Sequence, residues 1–322
     1  MSSPIEVVPA TATHRDQAAA TFPDLLPDRW RSGDNRRSFA ALDPEGRVRG
    51  HCRGIDNVYH PDSRTLVLEV ADGPGADGVA DALLAAQLDV STVPLRLKLH
   101  EEDRLLLGLA HRHGAVLNQA CPPWRYVVGP ELRTWADSHR LARSAGVEIR
   151  PLEARDASAA LDLYVDHYRR QHAAWSPAAP APVLREENAP DFAPDAPAIA
   201  ESRSVGLFRD GELHAQAVIF DEEVVLQAYE ADAASTRAAL YACLVAVIDS
   251  SADGQELFID SHLSEREEWA TIGAIPGLHP AHNREWTGLF SIPVPFPGAP
   301  VPPAVDAELL PPEARWMIDG AS

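Results

Sequence analysis

Ile5-Glu6-Val7-Val8-Pro9, with Arg15-Asp16 soon after, returns at mid-chain as Val147-Glu148-Ile149-Arg150-Pro151, with Arg155-Asp156 soon after. Each copy reads as a short strand, a turn and an Ala-rich amphipathic helix. The parallel runs on. Ser38–Leu42, the turn Asp43-Pro44-Glu45-Gly46 and Arg47–Ile55 give a hairpin pattern, and Ser204–Phe208, Arg209-Asp210-Gly211 and Glu212–Phe220 repeat it. A third strand follows in each half (Leu66–Ala71, Val224–Tyr229), then an Ala/Leu-rich helix (about Gly78–Leu88, Ser235–Ile248) and a strand (Leu95–Leu99, Glu256–Asp260). A helix ending at Gly114-Ala115 or Gly273-Ala274 and a late strand, Val116–Val128 or Glu285–Ile292, complete each copy.

Each half therefore reads β-α-β-β-β-α-β-α-β. This order predicts an α+β (mixed α/β) fold of two similar domains, each a mostly antiparallel, mixed sheet flanked by helices. The length of 322 residues suits two domains of roughly 100–200 residues. The expected division is 1–130, a connecting helix within 131–146 (Arg133–Ser144), 147–294, and a Pro-rich tail, 295–322, packed as an extended arm. Trp175–Ala200 reads as a long Pro/Ala-rich loop.

A net charge of −20 repels phosphate backbones and anionic membranes, so neither nucleic acid nor a membrane is an expected partner. The basic residues are almost all Arg, with a single lysine, Lys98. Three distant cysteines, Cys52, Cys121 and Cys243, form no CxxC pair, which fits a reducing compartment, the cytoplasm by default. The N-terminal sequence has no basic segment followed by an apolar run. His111 and His113 are two apart, and Pro280 interrupts His279 and His282, so no metal site is expected.

The third strand of the first half, which carries Val70, leads into Gly73-Pro74-Gly75-Ala76-Asp77-Gly78-Val79-Ala80. Glycines let a diphosphate approach the backbone, and a helix N-terminus offers it unpaired N–H groups and partial positive charge. This stretch, within the strand order above, resembles the GNAT acyltransferases, whose signature here is (Gln/Arg)-x-x-Gly-x-(Gly/Ala). Gly75 stands where Gln or Arg is usual. In the second half Arg237 and Ala242 fit the first and last places, with Leu240 where Gly is expected. The resemblance extends in element order to about Pro293. It implies an N-acyltransferase, monomer or homodimer, that moves an acetyl group from acetyl-CoA to the amine of a small, amino-acid-like metabolite. Val70, Gly75, Ala76, Asp77, Gly78, Val79, Ala80 and Arg237 would hold the donor. WADSHRLARSAGV, 135–147, ahead of the second half is similar to FemAB-type proteins, which implies an alternative aminoacyl-tRNA donor. A non-catalytic ligand-binding protein is the third reading.

Acyl transfer needs a base for the amine and a proton for the departing thiolate. GNAT proteins often take the base from the third strand, where Glu69 and Glu230 lie. Their usual acid, a Tyr four residues before the helix-ending Gly, is replaced by Ala110 and Trp269. Asp260 and His262 alternate on one strand face, a carboxylate beside a residue that titrates near neutrality, although Ser264 and Glu267 also fit a helix-capping box. Tyr168 and His172 continue a helical stripe from Tyr164. With Trp175, Tyr229 and Asp260 they are the expected acceptor-site residues.

Overall fold

The structure is a computed structural model and describes residues 5–29, 36–122, 124–141, 145–200, 203–221, 223–278 and 286–319. The first half runs β1 (Glu6–Pro9), α1 (Ala12–Ala18), β2 (Arg36–Leu42), β3 (Val48–Asp56), β4 (Arg64–Val70), α2 (Ala76–Leu88), β5 (Leu95–Leu99), α3 (Arg104–Arg112) and β6 (Val116–Cys121). After β7 (Trp124–Val127) and α4 (Pro130–Ser138), the second half repeats the order. It runs β8 (Val147–Pro151), α5 (Ala157–His172), α6 (Ala181–Asn188), α7 (Pro197–Ala200), β9 (Val205–Arg209), β10 (Glu212–Phe220), β11 (Glu223–Ala228), α8 (Ala233–Ser250), β12 (Glu256–Asp260), α9 (Arg266–Gly273) and β13 (Thr287–Ile292). The hairpin turns form where the sequence places them. Gly46 and Gly211 take φ of +76° and +87°, which suits residues without a Cβ.

Two mixed sheets result, ordered β1-β2-β3-β4-β5-β13-β6 and β7-β12-β11-β10-β9-β8. All neighbours are antiparallel except β4 with β5 and β11 with β12. Leu66, Leu68, Leu83, Leu84, Leu97 and Phe290 fill the core between the first sheet and α2, while Leu226, Leu240, Leu244 and Ile259 do the same under α8. α8 is apolar over 18 residues, long enough by composition to cross a bilayer. Here its Leu240, Leu244 and Ile248 are core residues against β9, β10 and β11.

The contiguous division at 130 and 147 does not survive the sheets. β13, late in the chain, inserts between β5 and β6 of the first sheet, while β7, early in the chain, pairs with β12 of the second. What reads as one strand, Val116–Val128, is two strands in different sheets, divided at Pro122, which has no N–H to continue the ladder. The connecting helix is shorter than expected. α4 ends at Ser138, residues 142–144 of the expected helix lie outside the described residues, and Leu132, Trp135 and Ala136 belong to the second core. Glu285 of the expected last strand, and His279 and His282, also lie outside the described residues.

The Trp175–Ala200 segment is not a plain loop, because α6 and α7 form within it and bury Leu184 and Ile199. The tail does more than lie on the surface. Val305 N donates to Leu117 O (2.8 Å), and Leu310, Ala314 and Met317 are buried in the first core. Ser264 and Glu267 form no capping box. Gln119 Nε2 donates to Ser264 Oγ (2.8 Å), and Glu267 pairs with Arg237.

Candidate active site

The two central helices begin differently. At α2 the N-cap is Gly75 (φ +88°), no side chain caps the first turn, and Ala76 N turns back to Gly73 O (3.2 Å). A Cβ built on Gly73 or Gly78 meets nothing within 4 Å, so the turn is open to solvent at these two positions. Arg112 Nη2, 3.4 Å from Asp77 and Asp81, offsets the carboxylates of that turn. Val79 and Ala80 are buried in the core, so the backbone from Gly75 to Gly78 is what remains to meet an anion. Val70 ends β4, which pairs with β5 only at Arg64 and Thr65; beyond Thr65 the parallel strands are not paired.

At α8 the N-cap is Asp232. Its Oδ1 accepts from Ser235 N (2.9 Å) and its Oδ2 from Ser235 Oγ (2.9 Å). Those donors hold the carboxylate below its ordinary range, so a negative charge already occupies the place where a phosphate would bind. Arg237 is committed to Glu267 (2.8 Å). The residues of α2 fit a nucleotide diphosphate, and those of α8 do not.

A second contrast lies on the opposite face of the sheets. His51 pairs across the strands with Glu69, Nε2 to Oε2 at 3.1 Å, against Phe22 of the segment after α1. At the matching position of the second sheet stand Gln216 and Gln227. They are joined amide to amide, and Gln216 Nε2 also donates to Ala160 O of α5 (2.9 Å). One half carries an ionisable pair where the other carries two neutral amides. Burial lowers the His51 pKa despite the Glu69 bond, so a neutral imidazole meets a carboxylate that is partly open to solvent. Glu230 lies elsewhere. Its side chain is buried and accepts from Arg209 Nη1 (2.7 Å); like Glu69, it lines none of the cavities below.

Three adjoining cavities in the second half bring most of the expected acceptor residues together. The first, about 770 Å³, is walled by Tyr59, Tyr164, Tyr168 and Phe220, with Asp191, Asp195, Asp221 and Glu223. It shares Tyr164, Tyr168, Phe220 and Glu223 with a second, about 260 Å³, that reaches His172, Gln227, Asp260 and His262. Through His167 and Gln171 this adjoins a third, about 370 Å³, beneath Tyr229, Leu240, Glu265 and Glu268. The chain of cavities follows the point where β11 and β12, paired only from Glu223 to Val225, part. Trp175 stays outside these cavities, with its ring centroid 4.7 Å from that of His172 and 5.2 Å from that of His262.

Burial opposes charge on His262, but the Cys121 sulfur and the Glu265 and Asp260 carboxylates outweigh it and hold the imidazole well above its ordinary pKa. Burial pushes Glu265 up, yet bonds from His167 and His262 bring it well below its usual range. Glu268, buried beside that charge, is held protonated well above its own. Glu265, Glu268, His167 and Gln171 escape a reading of the sequence, as does His51. A signal for one existed. His100-Glu101-Glu102-Asp103-Arg104 after β5 returns as His262-Leu263-Ser264-Glu265-Arg266 after β12, which marks Glu265 as the partner of His262.

A raised histidine pKa stabilises the fold fully below the unfolded value and loses that contribution as pH climbs. Stability should therefore decline above about pH 6.5, and His262→Asn should flatten that part of the profile in denaturant melts. An unchanged slope would place the titration elsewhere.

No protein-family model and no curated protein sequence matches this chain. Its likeness to known proteins is three-dimensional. A GCN5-related N-acetyltransferase from Sphaerobacter thermophilus superposes over 92% of this chain and 99% of its own, at TM-score 0.52 and 10% identity. A tandem GNAT protein from the clavulanic acid biosynthesis pathway covers 89% and 98%, at TM-score 0.51 and 15% identity. A glucosamine N-acetyltransferase region of a fungal multi-domain β-N-acetylglucosaminidase covers 90% of this chain and 38% of its own, at TM-score 0.50 and 7% identity. The chain has the tandem GNAT fold, with two copies of that domain in one polypeptide.

Proposed function

We propose that this protein is a GNAT-type N-acyltransferase that takes its acyl group from acetyl-CoA held by the first half and passes it to the amine of a small metabolite. The observation that carries this reading is the uncapped start of α2, set against the Asp232 carboxylate at the start of α8. A diphosphate would lie on the Gly75–Gly78 backbone, where helix amides and their partial positive charge point outward. The bound thioester supplies an acyl group activated toward amines. Glu69 accepts the ammonium proton, directly or through one water, while the neutral His51 holds its carboxylate by donating from Nε2; the freed amine attacks the thioester carbonyl, the C–S bond breaks, and the departing CoA thiolate takes its proton from water. The net charge of −20 supports a cationic acceptor and disfavours a tRNA donor.

Acetyl-CoA at 100 times its Kd should stabilise the protein by about 2.7 kcal/mol, read as a rise in Tm. Gly78→Glu should abolish the rise without unfolding the protein, because its Cβ enters open space, whereas Asp232→Ser should leave it intact. A rise that persists in Gly78→Glu would remove the donor from the first half.

A second reading has one observation in its favour, the continuous passage at the β11–β12 divergence, with Asp260 and His262 beside it. It places the proton transfer on Asp260 and His262. It predicts that Asp260→Asn lowers kcat and Glu69→Gln does not, the reverse of the first reading.

A further inference from the structure

Arg96, on β5, projects into a fourth cavity of about 200 Å³ where three parts of the chain converge. Its walls come from the first sheet (Asn118, Ser291), from the second-half segment Trp175–Pro177 and from the Pro300–Pro303 strap. Asn118 Nδ2 donates to Pro303 O (2.7 Å), and Ser291 Oγ donates to Asn118, which holds the strap on the sheet.

The guanidinium lacks the partner that its setting calls for. Arg96 Nη2 donates to Ser176 Oγ (2.6 Å), and the guanidinium carbon lies 5.8 Å from the Trp175 ring centroid. Its Nε is buried with no hydrogen-bond partner, and no carboxylate among the described residues pairs with it. Asp62, the one acid lining the cavity, is not close enough to form an ion pair. His60 adds no negative charge. Its Nδ1 contacts Ser176 Oγ (2.9 Å), and burial together with the Arg96 charge lowers its pKa to about 4, so it is neutral. The buried Arg64 is paired with Asp56 (2.8 Å), and the partly buried Arg150 with Asp156 (2.6 Å). In a chain with 48 acidic and 28 basic residues, a shortage of acids does not explain a desolvated guanidinium left without one. Arginine cannot shed its proton, and an unpaired buried charge is costly.

The geometry points to a binding site for a small carboxylate between the two halves, held on the Arg96 guanidinium and closed in by Trp175 and the proline strap. A carboxylate matches the planar fork of a guanidinium with two parallel bonds. Ser63 and Ser176 line the same space, whose volume of about 200 Å³ suits a small anion. Because the walls belong to both halves and to the tail, an occupied site ties them together. The site is independent of the acyl-transfer reading and would stand if that reading failed.

Melting curves at constant ionic strength, with sodium acetate, succinate or inorganic phosphate replacing sodium chloride, test it. The expected result is a saturable rise in Tm with a carboxylate that is absent in Arg96→Met and reached only at concentrations at least 10-fold higher in Arg96→Lys. Arg96→Met should melt at or above the anion-free wild type, since an apolar side chain replaces an unpaired charge. A saturable rise with phosphate alone would overturn the carboxylate assignment. No saturable rise with any anion, or an Arg96→Met that melts well below the anion-free wild type, would overturn the site.

Discussion

Glu69→Gln should lower kcat/KM for acyl transfer by about 10²–10⁴-fold, the usual worth of a positioned general base, while leaving the acetyl-CoA-induced rise in Tm unchanged. The substitution keeps the side-chain shape, and its amide oxygen can still accept from His51 Nε2, so the cross-strand contact survives and only the basic lone pairs are lost. It also gives the first half the residue that the second carries at the matching position, Gln227, while keeping His51 opposite it. Glu230→Gln is the informative control. Glu230 is spent on Arg209, so its loss should lower stability and spare kcat. Steady-state kinetics with a panel of small amines reads both outcomes. Full activity in Glu69→Gln, with loss in Asp260→Asn, would move the chemistry to the β11–β12 passage.

What the sequence revealed and what it hid divide along a physical line. The element order was legible because each strand and helix writes its own period, and the repeat let one half check the other. The Tyr164-Tyr168-His172 stripe was legible for the same reason, since it lies within α5, and Asp260 and His262 because His262 follows the end of β12 by only two residues. Which strand neighbours which was not. The residues Thr287–Ile292 say that a strand is buried, but not that it lies between β5 and β6. Partnerships across elements were hidden likewise. Nothing near Glu69 in sequence announces His51, and nothing near Glu230 announces Arg209. Arg96 shows the limit most plainly, because its meaning lies in a carboxylate that no segment supplies.

The exchange of β7 and β13 makes a strong claim about folding. A polypeptide of residues 1–146 lacks β13, so β5 and β6 lose the strand that pairs with both, and the core loses Trp286, Phe290 and Ile292, all nearly fully buried. Residues 147–322 lack β7 and with it Trp124, which is fully buried, donates from Nε1 to Ser261 Oγ (2.8 Å) and packs edge-on against Trp269. Neither piece should fold alone, and each should show the lost near-ultraviolet circular dichroism and dye binding of a collapsed but unpacked chain. In the intact protein the same interlock should fuse the halves into one calorimetric transition. Trp124→Ala, which costs about 3–5 kcal/mol in a well-packed core, should lower that single transition as a whole and should not split off the second half. A soluble 1–146 piece with native near-ultraviolet signal, or two resolved transitions in the intact chain, would mean that each sheet closes without its borrowed strand. The exchanged strands would then be attachments to two finished domains, whereas the depth at which Trp124, Trp286 and Phe290 are buried argues that they are part of each core.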